Sequence, residues 1–193
     1  VEDGLFPSTY RVKWDIVGEP KVSILIPNKD HTEDLEKCLH SIWTKTEWEH
    51  FEVIVVENNS TDPATFAYYK RAQQRYDGLQ VVTYPKKGFN FSGINNFGRK
   101  YATGEYLLLL NNDVEVRSGE WLTELLLQCA HPGGAAICGA MLWYPDETIQ
   151  HAGIVTGLGG YAGHSHKYKK KGGSGYLFLS LIHISEPTRL LSI

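Results

Sequence analysis

Residues 106–113 read YLLLLNND, an apolar run that ends at once in three polar side chains. A uniformly apolar run of this length predicts a β-strand that is covered on both faces, as strands are in parallel sheets. Short runs rich in Val, Ile and Leu predict three more strands at 22–26, 51–56 and 79–84. The sequence therefore predicts at least four buried strands, each followed by polar residues.

Between the predicted strands, apolar residues recur at the spacing of an α-helix. The first helix, which Thr32 is expected to cap, carries an apolar face formed by Leu35, Cys38, Leu39, Ile42 and Trp43. Further helices are predicted at about 62–76, where Asp62 and Pro63 form a cap and first-turn pair, at 92–102 and at 121–129. A fifth strand is predicted at 135–141. Because strands and helices alternate, we expect an α/β fold with a mainly parallel sheet flanked by helices.

Composition restricts the class of protein. The chain has 193 residues, of which 42% are hydrophobic and 21% charged, with a formal net charge of -3. These values favour a globular protein with no nucleic-acid partner. The sequence carries no signal-peptide pattern and no apolar run of about 20 residues that could cross a bilayer. Its three widely spaced cysteines are interpreted as reduced thiols, which favours a cytoplasmic location.

Polar clusters follow all four predicted strands. They are Pro27–Asp30, Glu57–Ser60, Pro85–Gly88 and Asn111–Asp113. Ligands of open parallel sheets bind outside the carboxyl ends of the strands, so these clusters are expected to meet in one crevice. Each cluster taken alone is equally typical of an ordinary turn.

The motif order resembles that of family 2 glycosyltransferases, in particular the branch that builds rhamnan, O-antigen and related surface polysaccharides. The resemblance is carried by VSILIPNKD (22–30), VIVVENNSTD (53–62), GINNFGRKYATGEYLLLLNND (93–113) and YPDETIQHAGIVTGLGGYAGHSH (144–166). It covers about residues 20–178. It implies a GT-A (Rossmann-like) fold, a nucleoside-diphosphate sugar donor and a divalent metal, Mg²⁺ or Mn²⁺.

The resemblance also implies roles for individual residues. Asn111-Asn112-Asp113 occupies the family's DxD position, so Asp113 is the implied metal ligand and Asn111 stands where the first Asp would be. Nucleotide-sugar-binding roles are implied or suggested for Pro27, Asn28, Asp30, Glu57, Asn58, Lys87, Asn95, Asn96 and Asn112. Asn95 and Asn96 match a helix-start segment that is expected to face the diphosphate.

Some of these residues have an alternative interpretation. Asp30 is equally explained as a charge at the start of a helix, and Lys87 as a solvated surface lysine. His151 is a candidate on the acceptor side, although a structural histidine explains it as well. The basic segment 166–171 suggests either contact with anionic lipid at the inner face of the membrane or a solvated loop.

Three segments are predicted along the chain. Residues 1–20 form an N-terminal extension and residues 21–178 an incomplete GT-A domain. Residues 179–193 resemble the translation of a transposon-end adapter used in preparing DNA sequencing libraries, and are expected not to be native. Inverting relatives supply a carboxylate base from beyond this region, so a C-terminally truncated chain without its catalytic base is expected.

The expected function is transfer of a sugar, with inversion, from a nucleotide donor to a glycan or lipid-linked glycan acceptor. Two alternatives remain open. One is a non-catalytic nucleotide-binding module, which is favoured by Glu57, where many relatives have Asp, and by Asn111 in place of the first Asp of the DxD motif. The other is a nucleotidyltransferase, although Pro27–Asp30 does not resemble the Gly-rich basic loop that such enzymes place after the first strand.

Overall fold

A computed structural model describes residues 1–3, 10–157, 160 and 162–170 of the chain. Within them, residues 18–120 form one compact unit, and the described parts of segments 1–17 and 121–170 form another. The elements in chain order are β1 (Glu2–Asp3), β2 (Tyr10–Arg11), β3 (Val22–Asn28), α1 (Thr32–Lys45), β4 (Phe51–Glu57), α2 (Pro63–Arg75), β5 (Leu79–Thr83), α3 (Phe91–Gly98), a 3₁₀ turn (Arg99–Tyr101), β6 (Tyr106–Leu109), α4 (Trp121–Cys129), β7 (Leu142–Trp143), β8 (Ile149–His151), β9 (Ile154–Thr156) and β10 (Ala162–His164).

The first unit is built on a parallel sheet in the order β5-β4-β3-β6. Asn28 at the end of β3 lies opposite Glu57, and Glu57 lies opposite Thr83, so three strands end at the same level. The pairing of β6 with β3 ends earlier, at Leu109 opposite Leu25, and Leu110 then donates a backbone hydrogen bond to the carbonyl of Leu25 (2.9 Å). The predicted parallel α/β sheet is confirmed.

Both faces of the central strands are buried. One face carries a cluster of Leu25, Ile54, Val56, Val82, Tyr84 and Ile94. Neighbouring strand residues point to the opposite face, where Ile24, Ile26, Val53 and Val55 are also fully buried. Helix α3 approaches the first cluster so closely that a Cβ on Gly98 would lie 2.6 Å from Cγ2 of Val56. Only glycine fits this contact without a shift of the neighbouring strand.

A half-buried carboxylate cluster fixes the amino-terminal edge of the sheet. Glu52 accepts hydrogen bonds from Lys21 Nζ (2.7 Å), Ser23 Oγ (2.6 Å) and the backbone N–H of Thr103 (2.7 Å). Ser23 Oγ in turn accepts from the N–H of Gly104 (2.8 Å). Burial alone would raise the pKa of Glu52, but these hydrogen bonds lower it to about 2. The cluster joins β3, β4 and the turn before β6.

The helix starts follow two different patterns. Asp62 caps α2 by accepting from the N–H of Ala64 (2.8 Å), with Pro63 at the first helical position, as predicted. The predicted cap of α1 is wrong, because Thr32 is already helical and the residue before it, His31, has a left-handed backbone (φ 47°) without a side-chain cap. The Thr32 hydroxyl instead bonds that of Thr65 (2.8 Å).

Two strand predictions need correction. The predicted strand at 135–141 is wrong, because this segment folds back on α4 instead of pairing. Ala135 donates to the carbonyl of Gln128 (2.8 Å), and Ile137 is 84% exposed. Strand β6 is a strand as predicted, but it is not covered on both faces among the described residues, since Leu107 is 40% exposed.

The second unit consists of α4 and short antiparallel strand pairs. Trp14 stacks on His131 with ring centroids 4.5 Å apart, and Arg11 forms an ion pair with Glu124 (2.6 Å). Arg11 and Trp14 of the predicted N-terminal extension therefore contact α4 and the turn that follows it. No helix in the described part of the chain is both long and apolar enough to cross a bilayer. The predicted tail at 179–193 lies outside the described residues.

Candidate functional site

The loops that follow the four sheet strands are joined to one another by hydrogen bonds. Asn112 Nδ2, after β6, donates to Asn28 Oδ1 at the end of β3 (2.6 Å). The N–H of Asn58, after β4, donates to the carbonyl of Asn28 (2.8 Å). Asn59 Nδ2 donates to the carbonyl of Lys86, after β5 (2.9 Å). The polar clusters predicted to meet at the carboxyl edge do meet there.

Glu57 is buried, and both of its carboxylate oxygens are engaged within the protein. Oε1 accepts from the N–H of Ser60, and Oε2 accepts from the Ser60 hydroxyl and from the Tyr69 hydroxyl (2.6 Å). Burial and then the hydrogen bond to Glu57 raise the pKa of Tyr69, so its hydroxyl remains a donor. The Glu57 carboxylate therefore holds the loop after β4 in shape.

Asp30 has a comparable role from the other side of the same loop. Its Oδ1 accepts from the N–H groups of Thr61 (2.7 Å) and Asp62 (2.9 Å), and its own N–H donates to Ser60 Oγ (2.8 Å). The backbone hydrogen bond from Asp62, followed by that from Thr61, lowers the pKa of Asp30. Asp30 has a left-handed backbone (φ 54°), which turns its carboxylate toward these N–H groups.

The segment 111–113 offers oxygen atoms to a cation. Asp113 and Asn111 are exposed, and their side chains make no hydrogen bond to another described residue. A carboxylate and an amide oxygen are ligands that suit Mg²⁺ or Mn²⁺. No group of three or more His, Cys, Asp or Glu residues within the described ranges could hold a metal. The donor set thus fits an ion that takes its remaining ligands from phosphate oxygens and water.

The loop after β5 and helix α3 border the same edge. Lys86 and Lys87 are exposed, and Asn90 caps α3 by accepting from the N–H of Gly93 (2.8 Å). Asn95 and Asn96 lie in the second turn of this helix, not at its start. Asn95 is buried, and its Oδ1 has no hydrogen-bond partner among the described residues.

His151 lies in the second unit, at the end of β8. It is buried, and its Nδ1 lies 2.7 Å from Nδ1 of His164. The rings meet edge to face with centroids 5.0 Å apart. Its candidacy on the acceptor side remains a prediction.

Sequence reasoning missed Tyr69 as a member of the site, and it gave Ser60 only as part of the polar cluster after β4. Tyr69 belongs to the buried face of α2, together with Thr65, Tyr68 and Ala72, whose spacing indicates only a core-facing helix stripe. One signal was available, because the first turns of a helix that follows a parallel strand lie near the carboxyl edge of the sheet. A buried Tyr there needs a partner for its hydroxyl, and Glu57 supplies it.

A parallel sheet flanked by helices, with polar loops gathered at its carboxyl edge, defines a protein of the Rossmann-like α/β class. The particular family follows from the sequence, since residues 23–186 match the family described as Glycosyl transferase family 2. The chain belongs to this family, and the resemblance drawn from its motifs is confirmed.

Curated relatives are consistent with this assignment. The chain is 44% identical over 158 residues to the O-antigen biosynthesis protein RfbC of Myxococcus xanthus, covering 82% of this chain and 12% of that protein. It is 40% identical over 163 residues to the uncharacterized protein y4gI of Sinorhizobium fredii, covering 84% of this chain and 18% of that protein. The chain thus spans only a small part of the length of these relatives.

Solved structures confirm the GT-A fold. A mannosyltransferase from Pyrobaculum calidifontis, in complex with GDP-Man and Mn²⁺, aligns with a TM-score of 0.55 at 19% identity, covering 71% of this chain and 41% of that chain. GalNAc-T7 with UDP, GalNAc and Mn²⁺ aligns with a TM-score of 0.53 at 16% identity, covering 57% and 21%. At these identities the likeness concerns the fold alone.

Proposed function

We propose that the whole protein transfers a sugar, with inversion, from a nucleoside-diphosphate donor to a glycan or lipid-linked glycan acceptor of a surface polysaccharide. The observation that carries this proposal is the hydrogen-bonded gathering of four loops beside the free carboxylate of Asp113. Membership of the family and the O-antigen relative support it. A cytoplasmic location, with the acceptor at the inner face of the membrane, completes the proposal.

The donor would lie across the carboxyl edge of the sheet. Pro27, Asn28 and Asn58 form the floor of the nucleoside side, and the loop fixed by Asp30 and Glu57 forms its wall. The exposed Lys87 and the exposed Asn96 would lie toward the phosphates. In this arrangement the two carboxylates shape the pocket through backbone N–H groups and do not read the base themselves.

Asp113, with the amide oxygen of Asn111, would hold a divalent cation shared with the diphosphate. Such an ion offsets the negative charge that develops on the diphosphate leaving group. One anionic ligand gives weak affinity for the free ion, so the cation is expected to bind together with the nucleotide. The Mn²⁺ bound by the two structural relatives supports a divalent ion here.

Calorimetric titration of the 193-residue chain with UDP and GDP, with and without Mn²⁺, tests the donor site. We expect binding that Mn²⁺ strengthens and that Asp113→Asn weakens by about tenfold, or about 1.4 kcal/mol. Asp77→Asn is the matched control, because Asp77 is exposed and, among the described residues, its side chain bonds only the N–H of the adjacent Gly78. Equal affinities in the two variants would refute the metal role.

A non-catalytic nucleotide-binding module is the second candidate. The observation that favours it is the complete engagement of the Glu57 carboxylate within the protein. Release of sugar from a donor mixture separates the two candidates. Turnover by a longer chain that continues the natural reading frame supports the transferase, and binding without turnover in that longer chain supports the module.

A further inference from the structure

A chain of three hydrogen bonds crosses the candidate site from the loop after β6 to the end of β4. Asn112 Nδ2 donates to Asn28 Oδ1 (2.6 Å), and Asn28 Nδ2 donates to the Tyr69 hydroxyl oxygen (2.8 Å). The Tyr69 hydroxyl then donates to Glu57 Oε2 (2.6 Å). Asn28, Tyr69 and Glu57 are all buried. These three hydrogen bonds therefore link side chains at or after the ends of three strands through one helix residue, Tyr69.

The Glu57 carboxylate sets which group donates and which accepts along these three hydrogen bonds. A carboxylate only accepts hydrogen bonds, so the single proton of the Tyr69 hydroxyl points to it. The Tyr69 oxygen is left to accept, which requires the Nδ2 group of Asn28. The amide of Asn28 then presents Oδ1, and not Nδ2, to Asn112. Reversing any bond would place two donors or two acceptors face to face.

We propose that Tyr69 is a positioning residue that orients Asn112, through Asn28, and thereby fixes the 111–113 segment for binding of a metal–nucleoside diphosphate. This inference rests on the proposed function, because it assigns the segment to that ligand. Tyr69 itself touches neither the cation nor the nucleotide. Together with the Asp30 carbonyl, it leaves the Asn28 amide with a single orientation that satisfies all of its hydrogen bonds.

Removing the Tyr69 hydroxyl removes this restriction. In Tyr69→Phe, Asn28 Nδ2 keeps only the carbonyl of Asp30 as an acceptor (2.9 Å), and Glu57 Oε2 keeps only Ser60. The Asn28 amide is then held in its orientation by the Asp30 carbonyl alone, so the Oδ1 that Asn112 bonds is less firmly fixed. We expect the Kd for nucleoside diphosphate with Mn²⁺ to rise about tenfold.

Tyr68, the residue before Tyr69 in the sequence, provides a closely matched control. Tyr68 lies on the same buried face of α2, and its hydroxyl has no hydrogen-bond partner among the described residues. Tyr68→Phe removes the same atom from the same helix without touching the chain of hydrogen bonds. We expect it to leave the Kd unchanged.

A double-mutant comparison separates positioning from general loosening of the fold. UDP and GDP are titrated with Mn²⁺ into the 193-residue chain as wild type, Tyr69→Phe, Asn112→Ala and the double variant, each first shown to be folded by urea denaturation. If Tyr69 acts through Asn112, the double variant binds no more weakly than Asn112→Ala alone. If the fold-losses in affinity of the two single variants multiply in the double variant, the proposal is overturned. A Tyr69→Phe affinity equal to that of the wild type would also overturn it. Absence of binding in the wild type would instead refute the proposed function, and the positioning role with it.

Exchange of side-chain amide hydrogens with water is a second test, because it reports on the hydrogen bonds of Asn28 and Asn112 themselves. In the ¹⁵N-labelled chain, the side-chain amide signals of Asn28 and Asn112 should exchange slowly with water in wild type and Tyr68→Phe and faster in Tyr69→Phe. Unchanged Asn112 exchange in Tyr69→Phe overturns the proposal. Should Tyr69→Phe fail to fold, Glu57→Gln serves in its place. A Gln amide can donate as well as accept, so the Tyr69 hydroxyl proton is no longer directed to residue 57, and a rise in Kd and in exchange is expected here too.

Discussion

Replacing Glu52 by Gln tests the carboxylate cluster at the amino-terminal edge of the sheet. The pKa of Glu52 lies at about 2 instead of 4.5, which corresponds to about 3 kcal/mol in favour of the charged form. The partner Lys21 is 44% exposed, so solvent screening reduces the expected loss of unfolding free energy in Glu52→Gln to about 1–2 kcal/mol at neutral pH. The NH₂ group of the new glutamine side chain would also face the Lys21 and Thr103 donors, and this donor–donor contact adds to the loss of unfolding free energy.

The sign of the pH dependence follows from the depressed pKa of Glu52. Because the pKa is lower in the folded state, the stabilisation is fully present above about pH 4.5 and disappears as the pH falls toward about 2. The difference between wild type and Glu52→Gln, measured by urea denaturation, should therefore shrink from about pH 5 to about pH 3. Glu49→Gln is the control, since Glu49 is exposed and its side chain has no hydrogen bond among the described residues. A difference that is absent at pH 7, or the same at pH 3, would refute this assignment.

Two further changes have defined outcomes. Gly98→Ala should destabilise the fold by about 1–3 kcal/mol in urea denaturation, because its Cβ would overlap Val56, whereas Ser92→Ala on the exposed side of the same helix should be nearly neutral. Cys129 and Cys138 should form a disulfide under mild oxidation, because their Sγ atoms lie 3.2 Å apart, even though burial raises the pKa of Cys138 to about 12 and slows the reaction. Intact mass after treatment with oxidised glutathione, with Cys129→Ser for comparison, tests this; failure of the wild type to lose two hydrogens would contradict it.

The strands and helices were predictable because each is specified by local composition. The apolar runs of β3, β4, β5 and β6 admit few other interpretations, and all four end within a residue or two of the expected positions. The segment 135–141 is equally apolar, but its backbone bonds the end of α4, and no local pattern records that preference. Apolar content alone therefore did not distinguish a strand from a segment packed on a helix.

Most residues of the candidate site could be predicted from the sequence, but the roles of its carboxylates could not. The sequence named Asp30 and Glu57 because they follow strands in a known motif order. Their partners come from residues up to 32 positions away, such as the N–H of Asp62, and no sequence spacing reveals such bonds. Tyr69 was missed for the same reason, because its helix stripe indicates burial without naming what its hydroxyl meets.

Pro27 explains where the pairing of β3 with β6 stops. After the Leu110 N–H has bonded the Leu25 carbonyl, the next hydrogen bond of a parallel ladder would run from the nitrogen of residue 27 to the carbonyl of Leu110. Proline has no amide hydrogen to donate, so the ladder ends there. The link between β3 and the segment after β6 then passes to the side chains of Asn28 and Asn112. A single imino acid in β3 thus leaves Asp113 in an exposed loop and not in a strand.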